Sequence, residues 1–355
     1  MLAAIAQAHK TVELEMYIFG NDELGQQFLA ALTAAAQRGV RVRVLVDAFG
    51  SMTLTGAFFA PLTQAGGDVR YFNPLRFNRF GVRNHRKLLV CDSLVVFIGG
   101  ANIVACHQGD GVARGWLDVM AQVTDEWLAT RLREEFARTF PAADFNGHAL
   151  QRLRIFRRLR RRGETDPWVL PVIPGRGAGS FQRALLHDLA TARQVDIMVP
   201  YFLPSGRLRR QLRQVVKRGG RVRLILPALC DVPLARAASL IYYPRLLRGG
   251  VEIYEYQPQI LHAKLYAVDG KVYAGSANLD VRSSKLNYEL VVRFSDPTSE
   301  VQVRQIFETA LTHSHRIDHQ TWKASQNFWQ RLKNRWAHFL LTRIDPLLVL
   351  KQTGR

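Results

Sequence analysis

The chain repeats itself. RGVRVRVLVD begins at Arg38 and RGGRVRLILP at Arg218, 180 residues apart. His85 and His262 are 177 apart, and GGANI at Gly99 and GSANL at Gly275 are 176 apart. Three landmarks at nearly one offset mean a duplicated domain, so any fold that suits one half must suit the other. A length of 355 residues allows each copy its own core.

Each half follows one order. An apolar strand (VELEMYIF, then VDIMVPYFL) leads into a helix that ends at a glycine (LGQQFLAALTAAAQRG, then GRLRRQLRQVVKRG). A buried strand follows (VRVLVDA, then VRLILPA), and later two strands closing on a turn of small residues. Strand and helix patterns that alternate in this way predict α/β layers around an at least partly parallel sheet. Asn21 and Asp22 mark the turn or N-cap after the first strand. Asp92-Ser93 and Asp269-Gly270 mark hairpin turns.

The strand before each hairpin carries the same cluster. His85, Lys87 and Asp92 stand in NHRKLLVCD, and His262, Lys264 and Asp269 in LHAKLYAVD; both read H-x-K-x-x-x-x-D. Each runs on to a small-residue turn ending in asparagine, Asn102 in GGAN and Asn278 in GSAN. On a strand, residues two apart share a face, so His and Lys of each copy reach one phosphate from one side. Two copies suggest a single site built from two halves.

Phosphodiester cleavage without a metal needs a nucleophile, a proton donor for the leaving oxygen, and cations for the phosphoryl oxygens. Two imidazoles supply the first two, one neutral and attacking, the other protonated and donating. Lys87 and Lys264 are expected to hold the non-bridging oxygens, with hydrogen bonds added by the amides of Asn102 and Asn278. No H-E-x-x-H spacing and no P-loop occur, so neither metal nor cofactor is expected.

The balance of 49 basic and 29 acidic residues, +20, predicts an anionic partner: nucleic acid, an acidic lipid surface, or both. Three cysteines, Cys91, Cys106 and Cys230, form no paired motif and read as packing residues. No run approaches the roughly 18 uncharged apolar residues of a spanning helix, and no secretory signal follows Met1, so any membrane contact should be peripheral. Seven arginines crowd residues 152–162, which read as a linker or an amphipathic surface helix. Near the C-terminus, Phe328, Trp329, Leu332, Trp336, Phe339 and Leu340 fall at helical spacing beside Arg331, Lys333 and Arg335. Such a helix packs on the core or lies on an anionic membrane surface.

With these residues in view, the chain resembles the phospholipase D superfamily, and within it the bacterial cardiolipin synthases. The likeness covers about residues 3 to 310 and includes ELEMYIFGND, GGVEIYEYQPQILHAK, GSANLDVRSSKLNYE and the Trp116-Leu117-Asp118 stretch. It implies two mixed α/β lobes related by a pseudo-twofold axis, with the active site at their interface. The expected division is a first lobe over 1–148 with a shortened lead, a basic linker over 149–172, a second lobe over 173–312, and a basic, aromatic helical tail over 313–355.

The resemblance also implies ping-pong phosphatidyl transfer through a histidine adduct, with His85 as nucleophile and His262 as general acid, then base. It further implies crossed pairing, Glu289 orienting His85 and Asp118 orienting His262. Asp92 and Asp269 are expected to be structural at the strand turn. Glu15 matches a recurrent glutamate of the family. The implied partner is anionic phospholipid, phosphatidylglycerol, at the cytoplasmic side of a bacterial inner membrane. The alternative is a hydrolase or nuclease of the same superfamily, which the charge suits equally. Nothing in the sequence points to an obligate protein partner.

Overall fold

The computed structural model describes residues 1–74, 81–143, 168–174 and 179–345. The arginine-rich segment at 152–162 lies outside the described residues.

The first sheet contains β1 (Thr11–Met16), β2 (Arg41–Asp47), β3 (Asp68–Phe72), β4 (Leu88–Cys91), β5 (Val95–Gly99) and β6 (Met120–Thr124). Their spatial order is β3-β2-β1-β4-β5-β6. The three strands on one side of β4 run parallel, and β4, β5 and β6 are antiparallel. The second sheet contains β7 (Val169–Val172), β8 (Gln194–Met198), β9 (Arg221–Pro227), β10 (Glu252–Tyr256), β11 (Leu265–Val268), β12 (Lys271–Gly275), β13 (Glu289–Phe294) and β14 (Ser314–Arg316). Its order is β14-β10-β9-β8-β11-β12-β13-β7. Its six inner strands repeat the first sheet strand for strand, as the duplicated sequence requires.

The second sheet reaches past the span 173–312 at both ends. Val169–Val172 pairs antiparallel with β13, and Ser314–Arg316 with β10. Both strands are too short for period-two alternation to reveal them in the sequence.

Helices cover both faces of the first sheet. Leu2–Gln7, Glu23–Gln37 and Ala60–Gln64 pack on one side, around Leu14, Phe28, Leu32 and Val44. Glu126–Thr139 packs on the other, through Leu128, Leu132 and Phe136. Asp22 caps Glu23–Gln37, its side chain accepting from Gly25 N at 3.0 Å. The cluster around Phe136 also takes in Val169, Leu290 and Val292 of the second lobe. Another cluster joins Leu117 and Val119 of the first lobe to Leu261, Leu265 and Phe307 of the second. The lobes thus share apolar packing on either side of the site.

Two backbone crossings fix their register. Asn84 bridges Tyr288, and Leu117 bridges Leu261. His85 N donates to Tyr288 O at 2.9 Å, and His262 N to Leu117 O at 2.8 Å. Each crossing therefore sits one residue before a histidine of one lobe and one residue before a carboxylate of the other.

Candidate active site

His85 and Lys87 lie immediately before β4, and His262 and Lys264 immediately before β11, outside the strands proper. The strands proper begin at Leu88 and Leu265, later than the sequence suggests. The chain leaves its own sheet there to pair with the opposite lobe, and alternation cannot register that exchange of partner.

Nδ1 of His85 lies 2.9 Å from Glu289 Oε2 and 3.2 Å from Ser276 O. Both are acceptors, so Nδ1 carries the proton and Nε2 presents its lone pair. Nδ1 of His262 lies 2.6 Å from Asp118 Oδ2, and Lys264 Nζ lies 2.9 Å from Nδ1 and 3.2 Å from Nε2 of the same ring. Each histidine is thus oriented by a carboxylate from the other lobe. Glu289 is fully buried and its charge is well met. Ser276 Oγ donates to Oε2 at 2.6 Å and Ser283 Oγ to Oε1 at 2.8 Å. Burial alone would raise its pKa, but His85, Lys87 and these donors outweigh burial and hold it low. Asp118 is held well below the ordinary range, with His262 and Lys264 overcoming its burial.

Lys87 Nζ donates to His85 O at 2.8 Å, and Lys264 Nζ to His262 O at 2.5 Å. Each lysine thereby stiffens the backbone of its own histidine. The two sets act on one another: burial, then the nearby charge of Lys264, brings Lys87 down to about 7. Burial also lowers both histidines, with the paired carboxylates opposing it. Tyr17 packs edge-on against His85, ring centroids 4.8 Å apart, and lies under the Lys87 ammonium at 5.1 Å.

Asp92 and Asp269 stand away from this cluster. Asp92 accepts from the backbone nitrogens of His9, Lys10 and Thr11 at 2.7 to 2.9 Å. Asp269 accepts from Arg193 N at 3.1 Å and Gln194 N at 2.7 Å. Each therefore ties a hairpin turn to the start of the neighbouring strand, β1 for Asp92 and β8 for Asp269. Both adopt left-handed backbone, with φ of 53° and 45°, which Asp tolerates better than most residues. Glu15 is buried, accepting from Asn84 Nδ2 at 2.6 Å, while Asp47 accepts from Asn84 N at 2.8 Å. Together they clamp the residue that precedes His85.

The asparagines differ. Asn102 Oδ1 accepts from Ile18 N at 3.1 Å, and its Nδ2 lies 3.2 Å from His107 Nε2. Among the described residues, the other N–H of that amide has no partner and can serve a ligand. Asn278 N donates to Ser283 Oγ at 3.1 Å, and its buried Oδ1 makes no hydrogen bond to the described residues.

Sequence reasoning missed His107, Ser276 and Ser283. His107 ends the short turn Ala105–His107 and stands opposite Ser283 in the repeat, a residue of different type, so no repeated motif singled it out. Among the described residues, His107, Asp118 and His262 are the group whose donor atoms, all within 4.8 Å of one another, could hold a metal ion.

A duplicated lobe with crossed histidine–carboxylate pairs defines the phospholipase D class of site. The chain matches the family "Cardiolipin synthase, PLD-like domain" over residues 1–140 and 185–311. It is 33% identical to cardiolipin synthase B of Salmonella typhi over 355 residues, covering 98% of this chain and 85% of that protein. It is 32% identical to a cardiolipin synthase of Geobacillus kaustophilus, covering 98% and 70%. Among solved structures, phosphatidylserine synthase of Haemophilus influenzae Rd KW20 superposes with a TM-score of 0.69 at 18% identity, over 98% of this chain and 92% of that one. The chain belongs to the phospholipase D-like cardiolipin synthase family, and is an enzyme of the phospholipase D superfamily.

Proposed function

We propose that the protein is a metal-independent phosphatidyltransferase that makes cardiolipin from phosphatidylglycerol. The observation that carries this reading is the pair of crossed contacts, His85 with Glu289 and His262 with Asp118. They back each imidazole with a carboxylate at Nδ1 and turn Nε2 to the chemistry, with Lys264 Nζ 3.2 Å from Nε2 of His262.

In the first half-reaction His85 Nε2 attacks phosphorus and the P–O bond to the departing glycerol breaks. The leaving oxygen takes the Nε2 proton of His262, which enters this step as the imidazolium, a form that the Asp118 carboxylate favours against burial and Lys264. In the second, neutral His262 removes the proton from a hydroxyl of an incoming phosphatidylglycerol. That oxygen attacks phosphorus, the P–N bond to His85 breaks, and cardiolipin departs. Lys87 and Lys264 meet the phosphoryl oxygens, whose charge opposes the depression of Lys87. Asp92 and Asp269 hold the lobes' hairpins and take no part in the transfer.

A lipid rather than a nucleic acid substrate is supported by the relatives, named as cardiolipin synthases, and by the tail. The helix Phe328–Phe339 turns Asn334 and Ala337 inward, while Phe328, Trp329 and Trp336 are 70%, 73% and 58% exposed. Arg331, Lys333 and Arg335 lie on the same helix. An aromatic face with basic neighbours suits the headgroup region of an anionic leaflet. Among the described residues no helix is long and apolar enough to cross a membrane. We assign the enzyme to peripheral attachment at the cytoplasmic face of a bacterial inner membrane.

The test is incubation with phosphatidylglycerol vesicles, and separately with plasmid DNA, both in EDTA. Cardiolipin and glycerol without DNA cleavage support the proposal. DNA nicking without lipid turnover overturns it in favour of a nuclease. Loss of lipid turnover on chelation overturns metal independence and points to His107, Asp118 and His262. Product made by His85→Ala refutes the nucleophile.

A further inference from the structure

The two orienting carboxylates are built differently. On Glu289, the oxygen that faces His85 also receives the Ser276 hydroxyl, so a second donor holds the carboxylate in line. Gly100 stands at the matching place in the first repeat, and a Cβ there would come within 2.2 Å of Asp118 Oδ1. No serine fits. The second donor must come from elsewhere, and His107 stands in position to supply it.

Its tautomer follows from the backbone. Ile18 N–H donates to Asn102 Oδ1, which fixes the amide and turns Nδ2 toward His107 Nε2. An amide nitrogen only donates, so Nε2 accepts and the imidazole proton sits on Nδ1. Nδ1 lies 3.1 Å from Asp118 Oδ2, the oxygen that faces His262. It approaches off-line and makes no formal hydrogen bond, so a small rotation of Asp118 or of the ring would complete the contact. The His107 side chain is 2% exposed. Its ring meets His262 edge-on with centroids 5.0 Å apart, and Trp116 packs against both rings.

We propose that His107 is a positioning residue for His262, acting through Asp118 as Ser276 acts through Glu289 on His85. The inference rests on the reading of His262 as the general acid. It sets Asn102, at least in part, to the task of fixing His107.

A general acid matters for a poor leaving group and hardly for a good one. The experiment compares glycerol release from phosphatidylglycerol with the burst of nitrophenolate from phosphatidyl-p-nitrophenol. His107→Phe is expected to slow glycerol release by about 10- to 100-fold, with KM nearly constant and the nitrophenolate burst nearly intact. His107→Asn, whose amide can occupy the place of Nδ1, should recover most of the rate. His107→Gln, whose amide reaches the place of Nε2, should not. Equal losses on both substrates, or parental glycerol release from His107→Phe, would overturn the proposal. If His107→Phe does not fold, as read by thermal melting, the Asn and Gln variants decide it: equal rates refute it. His262→Ala should show the same leaving-group dependence more deeply. Should that variant lose both substrates equally, the general-acid reading fails, whatever His107 does.

Discussion

Glu289 Oε2 lies 2.9 Å from Nδ1 of a histidine 204 positions earlier, in the other lobe. The contact sits beside the backbone crossing of Asn84 with Tyr288. Orientation of His85 and docking of the lobes are therefore one structural fact.

Glu289→Gln keeps the shape of that contact and removes its charge. An imidazole without its carboxylate partner loses both tautomer control and stabilisation of its cationic form. We expect kcat to fall by about two to four orders of magnitude, with the melting temperature much less affected. Steady-state turnover on phosphatidylglycerol checks it; a parental rate would remove the orienting role. Asp118→Asn should behave alike through His262.

Lys87 links pH to stability. Burial and the Lys264 charge hold it at about 7 in the folded protein, against roughly 10.4 in the unfolded chain. Between those values the unfolded chain binds the extra proton, so this group's contribution to stability grows as pH rises from about 7 to about 10. Lys87→Met removes the titration. The variant should melt at or above the parent at pH 7, with the difference shrinking toward pH 10, while turnover falls by about three orders of magnitude. Melting curves across that range decide the matter; a pH-independent difference would sink it.

Asp92→Ala should harm folding more than chemistry. Three backbone N–H groups at the entry to β1 lose their acceptor, at a cost of about 1–3 kcal/mol. Although burial tends to raise its pKa, those N–H groups outweigh it and hold the carboxyl low. Its contribution is therefore present above about pH 4 and is lost as pH falls through the lower folded value. Urea titration measures the loss. A variant of full stability and no activity would return Asp92 to the chemistry.

Trp329→Ser with Trp336→Ser should weaken binding to anionic vesicles by about tenfold or more and leave stability within about 0.5 kcal/mol, because both side chains are largely exposed. Vesicle cosedimentation checks the first, thermal melting the second. Unchanged binding would direct attention to another surface.

Much of this was legible in the sequence because duplication supplies its own control. The repeated offsets predict two like lobes, and the repeated H-x-K spacing picks out His85, Lys87, His262 and Lys264, which the structure brings into one charged cluster. The same comparison conceals whatever the copies do not share. His107 stands opposite Ser283 and Ser276 opposite Gly100, residues of different type, so neither stands out as a repeat. The limits of β4 and β11 differ for a related reason: the backbone N–H groups of His85 and His262 bond to the other lobe rather than within their own sheet. Alternation records which face is buried, not which chain segment lies opposite.

The paired crossings at Asn84–Tyr288 and Leu117–Leu261 also constrain how such a chain can change over time. Each half lends a carboxylate and borrows one, so neither is a spare. The copies have been free to diverge in how they brace those carboxylates, by hydroxyl in one and imidazole in the other. They have not been free to part: a mutation that loosens the seam detunes both histidines together, and should silence the enzyme well before it unfolds either lobe.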